Sequence, residues 1–128
     1  MMELESFRVI IAGCRDFNDY ELLRVKCDHM LSKKKDTHKV IIVSGHAAGA
    51  DALGEVYALE RGYELETYPA DWSRGRMAGP LRNEKMARVA DALVAFWDGK
   101  SRGTKNMIDL ANMKGIPVKI VRIDEGKS

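Results

Sequence analysis

The sequence predicts a single α/β domain, a doubly wound three-layer sandwich around a five-stranded parallel sheet. Short apolar segments rich in β-branched residues recur along the chain, and helical segments of roughly 10–15 residues separate them, as in βαβ units. The 128 residues fit one domain with its own core and contain no linker, repeat or low-complexity stretch. We therefore assign residues 1–128 to one domain. Right-handed crossovers would place helices on both faces and favour the strand order 3-2-1-4-5.

The first half of the chain supplies three strands and two helices. Leu22, Leu23, Val25 and Met30 offer the first helix an apolar face, and Gly62 ends the second. The third strand shows alternating polarity. The predicted elements in chain order are the strand Phe7–Ala12, the helix Asp19–Ser32, the strand Lys39–Val43, the helix Ala50–Arg61 and the strand Tyr63–Tyr68. The basic run Lys33-Lys34-Lys35 is predicted to be a solvated loop.

The second half supplies two helices and two strands. Pro80 suits a first helical turn, and Gly115 ends the last helix. The predicted elements are the helix Pro80–Ala90, the strand Ala92–Trp97, the helix Thr104–Lys114 and the strand Ile116–Ile123. The segment Ala70–Gly79 has no regular pattern and is predicted to be a long loop, which in a compact domain is usually functional.

Composition excludes several classes of protein. The chain has 21 basic and 19 acidic residues, so its net charge of +2 argues against nucleic acid as the main partner. No apolar run is long enough to span a bilayer and the N-terminus has no signal-peptide pattern, which predicts a cytoplasmic protein. Cys14 and Cys27 are predicted to be reduced thiols, and the three scattered histidines show no zinc spacing. We expect no metal and no cofactor.

Glycine and polar residues follow four of the five strands. In a parallel sheet these positions meet at one edge, where open α/β sheets bind ligands. The residues after strand one include Gly13, Arg15 and Asp16, and those after strand two run from Ser44 and Gly45 to Gly49, Ala50 and Asp51. Asp71 and Trp72 follow strand three, and Asp98, Gly99, Ser101, Gly103 and Thr104 follow strand four.

Two of these loops enter helices through glycine, at Gly49 and Gly103. Free amides at a helix start and the helix dipole favour an anion, and glycine lets the backbone approach phosphate. Tight turns and close helix–sheet packing are the alternative explanation for either glycine alone. The loops lack GxGxxG spacing, and the first glycine of a P-loop would fall at Val94 inside a strand, so we predict neither a dinucleotide fingerprint nor a Walker NTPase.

Arg82 is the most specific candidate for binding an anion. It lies four residues before Met86, on the stripe that Met86, Val89 and Ala90 would turn inward, and in the first turn of its helix. A cation near a helix N-terminus is unfavourable unless an anion meets it. The alternative is an ion pair with Glu84 or Asp71.

Three further side chains invite a functional interpretation. Trp97 ends a core strand and is predicted to pack there. Trp72 lies in the polar loop, where stacking on a ligand base and anchoring an interface are both open. Cys14 has no base placed by sequence and is predicted to be a small turn residue.

Several motifs in order resemble a known family across almost the whole chain. They are Ile10-Ile11-Ala12-Gly13-Cys14-Arg15-Asp16, Val43-Ser44-Gly45 to Gly49-Ala50-Asp51, Pro69-Ala70-Asp71-Trp72, Ala78-Gly79-Pro80-Leu81-Arg82-Asn83, and Phe96-Trp97-Asp98-Gly99 with Ser101-Arg102-Gly103-Thr104. Together they resemble the YspA/YpsA-related branch of the SLOG superfamily, which joins the DNA-processing protein Smf/DprA with the LOG enzymes. Cys14, His46 and Ala48 stand where the branch commonly has serine, glycine and arginine.

The resemblance implies a Rossmann-like fold and a pocket for nucleotides or nucleotide-derived signals of ADP-ribose type, in bacteria or phages. The ligand-binding residues that it implies include Asn83 beside Arg82. LOG enzymes hydrolyse the N-glycosidic bond of nucleoside 5′-monophosphates, and their catalytic glutamate would fall at Met107. Such cleavage needs a carboxylate, which methionine cannot supply.

Three functions therefore remain open. The first is a binding module or sensor for a phosphate-bearing nucleotide, cradled by Gly45 to Asp51 and Gly99 to Thr104, with Arg15 and Arg82 on the phosphate. A LOG-like hydrolase, with Arg82 as electrostatic stabiliser and Asp98 or Asp71 as the carboxylate, is the second. Single-stranded DNA binding is the third, against which the near-neutral charge speaks. We also expect a homodimer, because the chain has more Met and Trp residues than one small core needs.

Overall fold

A computed structural model describes residues 4–123 and shows one five-stranded sheet flanked by helices. All four strand pairings are parallel and the strand order is β3-β2-β1-β4-β5. The strands are β1 Ser6–Gly13, β2 Lys39–Ser44, β3 Glu64–Thr67, β4 Ala92–Trp97 and β5 Val118–Arg122. The helices are α1 Tyr20–Leu31, α2 Lys34–Thr37, α3 Ala50–Arg61, α4 Ala78–Val89 and α5 Arg102–Lys114, with a 3₁₀ helix at Trp72–Met77. The predicted Rossmann-like fold and strand order are confirmed, while the ends of the predicted domain lie outside the described residues.

Both faces of the sheet are covered, so its central strands consist of buried apolar residues. On one face α1 and α3 pack Leu23, Cys27 and Tyr57 against Val9 and Ile11. On the other face α4 and α5 supply the apolar side chains Met86, Ala87, Met107, Ile108 and Ala111. Alternate residues of β1 thus serve opposite layers, because side chains alternate along a strand.

Glycine lets three backbone segments meet at the carboxyl edge. Gly49 has φ +76°, and a Cβ there would overlap the backbone carbonyl of Cys14. A Cβ on Gly13 would overlap the carbonyl oxygen of Phe96 on β4. The amide of Cys14 donates to that same carbonyl (3.0 Å), and the amide of Ala50 donates to the carbonyl of Cys14 (3.2 Å). The start of α3 is therefore fastened to the end of β1.

Three local predictions are wrong. The basic run joins a short helix, α2, rather than a loop, and the Lys34 ammonium lies over the Phe7 ring (5.0 Å from Nζ to the centroid). The segment predicted to be irregular forms the 3₁₀ helix, which is capped by Asp71 and runs directly into α4. The stripe of α4 also differs, since Val89 is 38% exposed and Ala87 takes its place beside Met86 in the core.

No helix of residues 4–123 is long and apolar enough to cross a membrane.

We predict that Gly49→Ala destabilises the fold by at least ~2 kcal/mol, because it adds both a positive-φ penalty and an overlap with backbone. Chemical denaturation measures the free energy of unfolding. Gly103→Ala is the matched control, since nothing lies within 4 Å of its Cβ position. The control should change stability by no more than about 1 kcal/mol, and in the stabilising direction. Equal effects of the two substitutions would contradict the close approach at Gly49.

Candidate functional site

A cleft of about 310 Å³ opens at the carboxyl edge between the starts of α3, α4 and α5. We call it the first cleft. Eight of the predicted ligand-binding residues line it, together with residues that were not predicted to bind a ligand. The predicted ones are Gly13, Arg15, Asp51, Arg82, Asn83, Ser101, Gly103 and Thr104, and the additional ones include Ala12, Ala47, Gly79, Pro80, Met86, Arg102, Asn106 and Met107.

Arg82 lies half-buried in the first turns of α4 and has protein partners of its own. Its Nη1 donates to the backbone carbonyl of Gly45, and its Nε donates to Oδ1 of Asn83 (2.9 Å). These contacts hold the cation within the protein, whereas its contact to a phosphate stays a prediction. The suggested ion-pair partners have other contacts, because Glu84 pairs with Arg88 (3.4 Å) and Asp71 accepts from Ser73. Nη2 of Arg82 makes no hydrogen bond within residues 4–123, so one donor remains for a ligand.

Asp51 lies beside Arg82 in the first turn of α3 and is only 6% exposed. Its Oδ2 accepts from the amide of Ala47 (3.3 Å). Burial raises the pKa of Asp51 to about 6, although the Ala47 amide and the Arg82 charge act in the opposite direction. Burial also lowers the pKa of the Arg82 guanidinium, and Asp51 partly restores it. The cleft thus holds a strongly desolvated cation next to a carboxyl that takes up a proton easily.

Asn83 links α4 to α5 and also accepts a hydrogen bond from Arg82. Its Nδ2 donates to the carbonyl of Gly103 (3.2 Å) and to Oδ1 of Asn106 (2.9 Å). Both Nδ2 protons are used, so the Asn83 oxygen is turned toward Arg82. Asn106 was missed by sequence reasoning, and the signal was available: it lies close to the N-terminus of α5, on the side that meets α4.

Several amides of the loop between β4 and α5 already have acceptors. Oδ1 of Asp98 accepts from the amides of Lys100 (2.8 Å) and Ser101 (2.9 Å), and these two bonds lower the pKa of Asp98. The Ser101 hydroxyl caps α5 by accepting from the amide of Thr104 (3.4 Å). The amides of Arg102 and Gly103 make no hydrogen bond within residues 4–123. They are the donors that this helix start leaves open to the cleft.

The loop between β2 and α3 also contacts other protein groups. Ser44 is fully buried, Gly45 holds Arg82, and the amides of Ala47 and Ala50 are bonded to Asp51 and Cys14. Glycine at position 45 is needed because a Cβ there would collide with Arg82 and Asp51. The predicted backbone cradle around Gly45–Asp51 therefore holds protein groups, whereas its ligand-binding role stays a prediction.

A second cleft of about 360 Å³ shares Arg15, Ala47 and Arg82 with the first. Trp72 lines it and is 59% exposed. The guanidinium carbon of Arg15 lies 5.8 Å from the centroid of the Trp72 ring, within the range of a cation–π contact. The remaining lining residues are Gly45, His46, Ala48, Pro69 and Ala70.

The residues proposed for catalysis are less well placed. Asp71 lines a separate cleft beside Arg82, and bonds from Ser73 lower its pKa. Asp98 is bound to the two loop amides, and Gly99, with φ +82°, packs against Arg122. Met107, where LOG enzymes would carry glutamate, is 1% exposed and joins the core as well as the cleft wall.

Other side chains of the sequence analysis have structural surroundings. Cys14 is buried, and burial raises the pKa of its thiol, which disfavours a nucleophilic role. Trp97 packs against both core layers and its Nε1 donates to the carbonyl of Ser101 (3.1 Å). Within residues 4–123 no group of three or more His, Cys, Asp and Glu side chains could hold a metal ion.

Comparison with known proteins identifies the family. The family model for YspA, cpYpsA-related SLOG proteins matches residues 7–75. The chain belongs to this family. A protein of Mycobacterium phage D29, the Gene 61 protein, is 34% identical over 118 residues, which cover 87% of this chain and 93% of the phage protein.

Solved structures of similar fold include two DNA processing proteins. DprA from Streptococcus pneumoniae superposes with a TM-score of 0.69 at 16% identity, over 96% of this chain and 52% of that chain. DprA from Helicobacter pylori, solved to study its single-stranded DNA binding mode, gives 0.68 at 19% identity, over 95% of this chain and 68% of that one. TM1055 gives 0.62 at 22% identity, over 90% and 72%. This SLOG domain thus spans about half of the pneumococcal protein, and these likenesses show the shared fold.

We predict that Asp51→Asn removes a pH dependence of stability. Because the pKa of Asp51 is higher in the folded than in the unfolded chain, its stabilisation is present below about pH 4 and is lost as the pH rises through about 6. The free energy of unfolding of Asp51→Asn, relative to that of the wild type, should therefore rise by about 2 kcal/mol between about pH 4.5 and about pH 7.5. Denaturation midpoints across this range measure the difference. Asp109→Asn, an exposed position paired with Lys105, is the control, and a constant difference for Asp51→Asn would refute the prediction.

Proposed function

We propose that this SLOG domain binds a phosphate-bearing nucleotide or nucleotide-derived ligand, of nucleoside-monophosphate or ADP-ribose type, as a cytoplasmic sensor or carrier. One observation carries the proposal. Arg82 is held rigidly by the Gly45 carbonyl and Asn83, while its Nη2 makes no hydrogen bond to residues 4–123, in a cleft that the open amides at the start of α5 also face.

The electrostatics of the first cleft favour an anion. Removing a guanidinium from water is costly unless an anion meets it, and Arg82 has lost much of its solvent. Arg15 adds a second cation to the lining of the cleft. The amides of Arg102 and Gly103 add the positive end of the α5 dipole. A phosphate group bound there would form charge-assisted hydrogen bonds to Arg82, to Arg15 and to the first amides of α5.

Anion binding in this cleft should depend on whether the Asp51 carboxyl is protonated. An ionised Asp51 already neutralises part of the Arg82 charge, and an incoming phosphate would compete with it. Because the pKa of Asp51 is about 6, the carboxyl can take up a proton as phosphate arrives at little free-energy cost near neutral pH. Ser101 and Thr104, two further predicted ligand residues, line the same cleft, and Trp72 lines the second cleft, where a base could stack on it.

Binding without glycosidic cleavage is favoured over a LOG-like hydrolase. The position of the LOG glutamate is apolar, and the carboxylates of Asp98 and Asp71 are engaged by local amides and hydroxyls. Incubation with nucleoside monophosphates separates the two, because a hydrolase releases free base.

Single-stranded DNA binding is a second candidate, since the Helicobacter pylori DprA of similar fold has a single-stranded DNA binding mode. Arg15 beside the exposed Trp72 is the feature of this chain that would serve it, by pairing a cation with a stacking surface. Anisotropy of a labelled oligonucleotide at two salt concentrations tests the candidate. Tight binding that weakens steeply with salt supports it, and no binding at low salt removes it.

We predict that Arg82→Ala weakens nucleotide affinity by about 1.5–3 kcal/mol, the usual free energy of hydrogen bonds to charged groups. Arg82→Lys should recover only part of this loss, because lysine lacks the planar fork that spans Gly45, Asn83 and a phosphate. Isothermal titration with the ribonucleoside 5′-monophosphates and ADP-ribose measures the affinities. Arg88→Ala is the matched control, on the exposed side of the same helix. Unchanged affinity for Arg82→Ala together with a large drop in melting temperature would assign Arg82 a purely structural role.

We further propose that the protein is a homodimer. Large apolar side chains are exposed on both helical layers, Leu59 on α3 (84%) and Met113 on α5 (83%), and contact with a second copy would remove such a side chain from water. Sedimentation velocity at micromolar concentration should show a species of twice the chain mass. A single monomer species over this range would exclude the dimer.

A further inference from the structure

His46 has a backbone conformation that needs an explanation. Its φ is +62°, and it is the one non-glycine residue between 4 and 123 with a positive φ. Few non-glycine residues adopt this region, and those that do often lie at functional sites. His46 lies in the loop after β2 and lines the second cleft, with 59% of its side chain exposed.

A ring of three hydrogen bonds sets the direction of the imidazole. Nδ1 of His46 lies 2.9 Å from Oε2 of Glu55 on α3. The same oxygen accepts from the hydroxyl of the buried Ser44 (2.8 Å), and that hydroxyl accepts from the His46 amide (3.0 Å). A carboxylate oxygen can only accept, so it fixes the imidazole proton on Nδ1. Nε2 then carries a lone pair, and it makes no hydrogen bond within residues 4–123.

The surroundings of this imidazole are cationic. Arg15 and Arg82 line the same cleft as His46, and they are the two cations that this cleft shares with the first. Cleavage of a glycosidic bond needs a carboxylate at its oxocarbenium-like centre, and none of the residues between 4 and 123 that line the second cleft is Asp or Glu. Transfer of a phosphoryl group instead spreads negative charge over phosphate oxygens, which arginines stabilise. An oriented base beside two arginines fits the second reaction.

We propose that His46 is a general base for hydrolysis of a phosphate monoester held between Arg15 and Arg82. This inference rests on the proposed nucleotide binding. Nε2 takes a proton from a water molecule, whose oxygen forms a bond to phosphorus. The ester P–O bond breaks, and its electron pair goes to the leaving alcohol oxygen, which takes a proton from bulk water. The imidazolium returns its proton to bulk water, so one monoester and one water give inorganic phosphate and an alcohol. Glu55 acts through His46 and is a positioning residue.

Product analysis with the four ribonucleoside 5′-monophosphates tests the inference. The wild type should release inorganic phosphate and nucleoside. His46→Asn should lower kcat at least ~100-fold, the usual contribution of a general base, and leave the affinity measured by titration within about threefold. Asparagine tolerates positive φ, and His46→Gly is a second variant without strain should the first fail to fold. His29→Asn, on the exposed side of α1, is the control and should keep wild-type turnover.

Glu55→Gln separates positioning from structure. It keeps an oxygen for Ser44 and His46 but loses the charge that orients the imidazole. We expect kcat to fall roughly tenfold or more with KM unchanged, a split that mere loosening of the loop would not produce.

The outcomes distinguish this inference from the proposed function. Monophosphates that bind but stay intact overturn the hydrolytic role of His46 and leave the binding function standing. Free base with ribose 5-phosphate overturns it in favour of glycosidic cleavage. Full phosphate release by the His46 variants also overturns it. If none of the four monophosphates binds, monophosphate binding and the inference fall together.

Discussion

The bond from Arg82 to the Gly45 carbonyl, beside the buried Asp51, is the interaction on which the candidate site depends. It joins α4 to the loop after β2, two segments that the sheet places at the same edge but does not connect. Glycine at position 45 is required for it, because any Cβ would occupy the space of the guanidinium. Asn83 extends the connection to α5. Arg82 and Asn83, adjacent on α4, therefore link three elements around the first cleft.

Several backbone amides of the two glycine-rich loops are hydrogen-bonded to groups of the protein itself. Asp98 takes two amides of one loop, and Asp51 and Cys14 take amides of the other. An anion consequently has fewer backbone donors than loops of this composition suggest. The donors without a hydrogen bond to residues 4–123 include Nη2 of Arg82 and the first amides of α5, which lie on different elements around the first cleft. Recognition in such a site depends on side-chain geometry, which the Gly45 and Asn83 contacts determine.

Two clefts that share Arg15 and Arg82 allow one pair of cations to serve two kinds of chemistry. In the first cleft the neighbouring group is a carboxyl whose proton can compensate an incoming charge. In the second it is an imidazole oriented by Glu55, with Trp72 in the same lining. Glu55 and Asp51 lie one helical turn apart on α3, so one face of this helix supplies both the carboxyl group near Arg82 and the carboxylate that bonds His46. Their like charges also couple, since Glu55 contributes to the raised pKa of Asp51.

The sequence by itself determined the strand order, the parallel sheet and the edge at which glycine and charge collect, because apolar β-branched strands between helices have few right-handed arrangements. It also pointed to Arg82, through its spacing to Met86. Only the tertiary structure decided what Arg82 contacts, since Gly45 lies 37 residues away. The His46–Glu55 pair was missed because histidine shows no local pattern, although Glu55 follows Asp51 at helical spacing. Irregular segments such as the 3₁₀ helix, and the exposure of Val89, depended on packing that no local periodicity encodes.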